Sequence, residues 1–121
     1  METKKTLVLG ASANPSRYSY LAINRLVASG HPVEAIGLKD EQVAGVTIHK
    51  DRPPFEGIDT ITLYLNPMRQ KEYYDYIVSL EPKRVIFNPG TENPELFQIL
   101  RDNGIAVEVA CTLVLLSIHD Y

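Results

Sequence analysis

The sequence predicts an α/β fold, a single domain whose parallel β-sheet is covered by helices on both faces. Three observations carry this expectation. Short runs of strand formers, such as Leu7-Val8-Leu9 and Val85-Ile86-Phe87, alternate with segments whose apolar residues recur at helical spacing. The chain has 121 residues, 45% of them hydrophobic, which suits one core and is too little for two domains. No internal repeat, low-complexity tract or interdomain linker divides it.

The elements follow in order. The first apolar run ends at Gly10, and a small, turn-rich loop leads to Arg17. Ala22, Ile23, Leu26 and Val27 then mark the buried face of a first helix. Gly30 stops it, and His31-Pro32 reads as a surface turn. Val33 to Gly37 is a second strand. Residues 39–60 contain Gly45, Pro53, Pro54 and Gly57 and show no helix, with Val46-Thr47-Ile48 as a minor strand. Ile61 to Leu65 alternates as a strand and stops at Asn66-Pro67. Tyr73, Tyr76, Ile77 and Leu80 face one side of a helix closed by Pro82. Val85 to Phe87 is the next strand. Asn93-Pro94 supplies an N-cap and a first-turn proline to a helix that buries Leu96, Ile99 and Leu100. Asn103-Gly104 ends that helix, Ile105 to Val109 is the last strand, and Cys111 to Ser117 is a short final helix.

Composition narrows the function classes. The net charge of -3 gives no broad basic surface for nucleic acid. A single cysteine, Cys111, rules out an internal disulfide and fits a reducing compartment. No signal-peptide pattern and no membrane-length apolar run are present, so a soluble cytoplasmic protein is expected.

The stretch Lys5 to Tyr20 organises the site. Strand, small-residue loop and helix start follow one another, and a helix N-terminus favours phosphate. The dinucleotide fingerprint G-x-G-x-x-G is not met, since Ser12 and Pro15 stand where its second and third glycines would. An ordinary strand-to-helix turn would look the same. Ligands of an open parallel sheet bind beyond the carboxyl ends of the strands. Arg17, Lys39 and Arg69 fall on that edge, whereas Lys4, Lys5, Lys83 and Arg84 fall on the other. Three cations suit an anion with several phosphates; solvated surface charges are the simpler alternative. After the second strand, Lys39 favours a phosphorylated ribose, and Asp40 keeps a ribose-diol reading open.

Several motifs together resemble a known family. They are GAS-x-x-P-x-R-x-S at Gly10 to Ser19, Asn66-Pro67 after the third main strand, NPG-x-EN-x-E at Asn88 to Glu95, and ACTLVLLS at Ala110 to Ser117. Over nearly its whole length the chain resembles small stand-alone CoA-binding domain proteins. These are similar to the N-terminal domain of the succinyl-CoA synthetase alpha subunit. The resemblance implies a Rossmann-like three-layer sandwich with a five-stranded parallel sheet. It implies coenzyme A or an acyl-CoA as ligand, with the nucleotide over the Gly10 loop. Ser12 and Arg17 would contact phosphate, Lys39 the 3′-phosphate, and Leu65 to Pro67 would flank the adenine. Gly90 would admit the pantetheine arm. The ending Ile36-Gly37-Leu38-Lys39 departs from the Val-Asn-Pro of many relatives. Residues and resemblance together make the candidate binding set Gly10, Ala11, Ser12, Asn14, Arg17, Lys39, Leu65, Asn66, Pro67, Pro89, Gly90 and Cys111.

Catalytic chemistry is not readable. Cys111 is a candidate nucleophile or disulfide partner of the CoA thiol, though packing explains a free cysteine more simply. His31, His49 and His119 lack metal-ligand spacing. Glu92 and Glu95 suit a helix dipole, and Tyr73, Tyr74 and Tyr76 suit packing. A CoA-binding or regulatory module without catalysis is expected. An NAD(P)-binding sensor or enzyme, or a CoA-binding subunit of a larger acyl-CoA enzyme, are the alternatives. Self-association as a homodimer, or a protein partner, stays open.

Overall fold

The computed structural model describes residues 2–121. Its strands are β1 (Thr6–Ala11), β2 (Val33–Gly37), β3 (Glu41–Val43), β4 (Val46–His49), β5 (Thr60–Leu63), β6 (Arg84–Phe87) and β7 (Ala106–Val109). Its α-helices are α1 (Tyr18–Ala28), α2 (Pro67–Gln70), α3 (Tyr74–Ser79), α4 (Pro94–Asp102) and α5 (Thr112–Ser117). A 3₁₀ turn, Lys71–Tyr73, joins α2 to α3. All seven strands form one sheet in the order β3-β4-β2-β1-β5-β6-β7. The class is the α/β, Rossmann-like one expected.

The sheet corrects the expected five parallel strands in one region. Residues 41–49 form a hairpin, and β3 runs antiparallel to β4 at the sheet edge. Its two-residue turn, Ala44-Gly45, has positive φ at both positions, 52° and 80°. That turn matches the twist of paired strands, yet alanine in place of asparagine or aspartate hides it from the sequence. The other strand pairs are parallel.

Both faces of the sheet are covered, which explains why the strands read as near-continuous apolar runs. Leu7 and Leu9 point to one side, where Leu63, Phe87, Ile77, Leu80, Leu96 and Leu100 pack with them. Val8 points to the other, with Ile23, Leu26, Ala35, Ile48 and Leu116. Phe97 meets Phe87 edge to face, with ring centroids 4.7 Å apart.

Several boundaries and burials differ from expectation. The helix expected around Tyr73 to Leu80 begins earlier, at Pro67, and passes through the 3₁₀ turn. Val27 is exposed, because α1 buries only Ser19, Ala22, Ile23 and Leu26. His31 is buried rather than a surface residue. Its Nδ1 accepts a hydrogen bond from the Lys4 backbone N–H at 3.0 Å. No helix among the described residues is long and apolar enough to cross a membrane.

Candidate functional site

The chain runs out from β1 to β2 on one side and returns to β5 on the other. The strand order therefore reverses at β1 and β5, and the loops after them diverge and leave a crevice.

The β1 loop is shaped by close strand packing. Gly10 has φ +98°, and a Cβ there would lie 2.9 Å from the Tyr64 carbonyl carbon. Its lack of a side chain thus admits the chain that follows β5. Beyond it, the amides are mostly satisfied locally. Asn14 N–H donates to Ser12 Oγ at 3.0 Å, and Ser16 N–H donates to Asn14 Oδ1 at 3.0 Å. Arg17 N–H donates to the Asn14 carbonyl at 3.0 Å. Ala13 N–H donates instead to the Glu41 carboxylate at 3.2 Å. Arg17 is the N-cap residue of α1, and no side chain caps that helix. The first-turn N–H groups of an uncapped helix are free to meet an anion.

Two further loops close the crevice. Asn66 caps α2 by accepting from the Arg69 N–H at 2.9 Å, and Pro67 is the first helical residue. After β6, the Asn93 side chain accepts from the Leu96 N–H and starts α4 in the way its sequence signals. Gln70, fully buried, joins the two loops. Its Nε2 donates to the carbonyls of Leu65 and Thr91, both at 2.8 Å, and its Oε1 accepts from Asn93 Nδ2 at 2.9 Å. Asn88 ties the base together, donating to Thr62 Oγ1 and the Leu63 carbonyl and accepting from the Thr112 N–H.

The resulting cleft has a volume of about 760 Å³, within the range of roughly 300–1,000 Å³ usual for small-molecule sites. Ten of the expected residues line it: Gly10, Ala11, Ser12, Asn14, Arg17, Lys39, Leu65, Asn66, Pro89 and Gly90. Two do not. Pro67 turns into α2, and Cys111 stands as the half-buried N-cap residue of α5. Asp40, the candidate for a ribose diol, also lies outside the lining. Its Oδ1 accepts from the Lys50 N–H at 2.9 Å and pins the hairpin.

Arg17, Lys39 and Arg69 all line the cleft, and none makes an ion pair among the described residues. Lining residues missed in the sequence include Tyr18, Leu38, Glu41, Tyr64, Glu72 and Tyr73. Tyr18 and Leu38 are 72% and 65% exposed, so apolar surface stands open beside the cations. Burial pushes the Tyr64 phenol up to about 12, which keeps it neutral and unsuited to act as a base. Glu72 pairs with Arg52 at 3.6 Å, leaving Glu41 as the carboxylate of the lining without a cation. No group of three or more His, Cys, Asp or Glu that could hold a metal ion occurs among the described residues.

Comparison with known proteins agrees with this architecture. A family model described as a CoA binding domain matches residues 4–117. The crystal structure of an uncharacterized protein is 53% identical over the whole of both chains, with a TM-score of 0.97. A hypothetical protein from Pyrococcus horikoshii OT3 is 26% identical, with a TM-score of 0.82 over 93% of this chain and 81% of its own. A protein from Thermus thermophilus is 23% identical, also with a TM-score of 0.82, over 98% of this chain and 91% of its own. No curated protein matches the chain.

Proposed function

The chain belongs to the CoA-binding domain family, and we propose on that premise that its cleft binds coenzyme A or an acyl-CoA as a module without catalysis of its own. One observation carries the reading: Arg17, Lys39 and Arg69 come from three separate segments, the β1–α1 loop, the loop after β2 and helix α2, and line one cleft at the sheet's switch point without making an ion pair among the described residues. Cations that make no ion pair suit a ligand that brings several negative charges of its own. In this reading the pyrophosphate lies between the β1 loop and the start of α1, near Ser12 and Arg17. Lys39 takes the 3′-phosphate. Leu38, Tyr18 and Leu65 offer apolar surface to the adenine, and the Pro89-Gly90 side of the cleft receives the pantetheine arm. Neither Pro67 nor Cys111 is needed for it.

Calorimetric titration with CoA, acetyl-CoA, dephospho-CoA, NAD, NADP and ATP tests the proposal. CoA and acetyl-CoA bind with similar affinity, and dephospho-CoA binds more weakly because it lacks the phosphate opposite Lys39. Binding of NAD or NADP in preference to CoA overturns the reading. Equal binding of CoA and dephospho-CoA removes Lys39 from it.

A further inference from the structure

We propose that Glu41 is a specificity-determining residue of the cleft. Its carboxylate competes for the anion position at the Ala13 amide, so a ligand phosphate enters that position only by displacing it. The proposal rests on the reading of the cleft as a phosphate-bearing nucleotide site.

The geometry leads there in three steps. First, a carboxylate oxygen accepting a backbone N–H of a phosphate-type loop does what a phosphate oxygen would do. Glu41 Oε2 holds the Ala13 N–H at 3.2 Å. Second, that amide differs from its neighbours. Those of Asn14, Ser16 and Arg17 are satisfied from within the loop, and residue 15 is a proline without an N–H. Ala13 alone among these is held by a side chain from another element. Third, the hold is light. The distance is at the long end for N–H···O, and no cation anchors Glu41 among the described residues. Glu41 opens β3, a three-residue strand at the sheet edge paired with β4 alone.

The consequence is discrimination by charge. A phosphate placed at the Ala13 amide meets a carboxylate of like sign. Repulsion between unit charges about 4 Å apart in water is worth roughly fivefold in a binding constant, and more where water is excluded. A ligand that brings an uncharged hydroxyl there can leave Glu41 in place and donate to it. Glu41 therefore weakens a ligand that sets a phosphate at the Ala13 amide relative to its unphosphorylated counterpart, while Arg17, Lys39 and Arg69 act in the opposite direction.

The test uses Glu41→Gln, which removes the charge and keeps an oxygen that can accept from Ala13. Wild type and variant are titrated with CoA, inorganic pyrophosphate and adenosine, after thermal unfolding has shown both to be folded. The expected result is CoA and pyrophosphate binding tighter by about fivefold or more in Glu41→Gln, with adenosine bound no tighter than in wild type. Wild type that binds CoA beside a Glu41→Gln that binds it equally or more weakly overturns the Glu41 role and leaves the CoA reading standing. Failure of both proteins to bind CoA removes the CoA reading. Glu41 is then decided by the Ala13 amide resonance during pyrophosphate titration. A response at lower pyrophosphate in Glu41→Gln supports the competition. An equal response, or none in either protein, overturns it.

Discussion

Gly37 ends β2 opposite Ala11 of β1. A Cβ at Gly37 would lie 2.3 Å from the Ala11 carbonyl oxygen and 2.9 Å from the Ile48 side chain. Backbone cannot give way as a flexible side chain can, so Gly37→Ala forces β1 and β2 apart just below the cleft. The expected cost is about 1–3 kcal/mol in urea unfolding, together with weaker CoA binding. An unchanged midpoint would show that these strand ends separate freely. His31 gives a pH signature at the other edge of the sheet. Burial, with the nearby Lys4 and Arg84 charges, lowers its pKa from the ordinary 6.5, and its Nδ1 must stay unprotonated to accept from Lys4. The unfolded chain therefore binds a proton more readily than the folded one. The stabilisation is complete above pH 6.5 and is lost as pH falls below it toward the lowered folded value. Denaturation midpoints between pH 7.5 and 5 should fall in wild type and be flatter in His31→Gln. Parallel curves would remove His31 as the cause.

Among the elements, helix starts and strand cores were the legible part. Asn93-Pro94 starts α4 with the cap bond its residue types announce, and Val33 to Gly37 is β2 as read. Local chemistry decides such features, so local sequence carries them. The β3–β4 hairpin was half missed because Ala44 stands where its turn usually has asparagine or aspartate, and because β4 joins the sheet by pairing with β2, a separate element. Gln70 escaped notice altogether. Nothing in the sequence distinguishes a surface glutamine from one buried between two loops. Yet its three hydrogen bonds hold Leu65, Thr91 and Asn93 in a fixed relation, and the loops that carry them form one wall of the cleft. Gln70→Met keeps the length of the side chain and removes the polar atoms. It should cost on the order of 1–3 kcal/mol for the buried groups left unpaired. CoA affinity should fall too, as the two loops lose their common anchor. A variant as stable as wild type, with full affinity, would falsify this account of Gln70.

At the scale of the whole molecule, one cleft brings charge and shape together. Cys111 lies outside the cleft lining, Tyr64 is held neutral by burial, and the lining contains no histidine. Acceleration by a nucleophile or by acid–base transfer needs a group placed at the reacting atom, and ground-state binding alone supplies none. The isolated protein should therefore release no thiol from acetyl-CoA above background in a thiol-reagent assay. Release that disappears in Cys111→Ser would make the protein an enzyme and assign Cys111 to it.

By itself, the sequence determined the layers. Apolar runs long enough for a sheet buried on both faces, helical stripes between them, and capping residues at their ends follow from local preference and periodicity. It also placed Arg17, Lys39 and Arg69 at one edge, because in a parallel sheet that edge follows from where each strand ends. Only the tertiary structure decided which of those loops face one another. The reversal of strand order between β1 and β5 opens the cleft, and the hairpin carries Glu41 to the Ala13 amide across 28 positions of sequence. Contacts of that kind depend on how separate elements pack, and no local pattern encodes them.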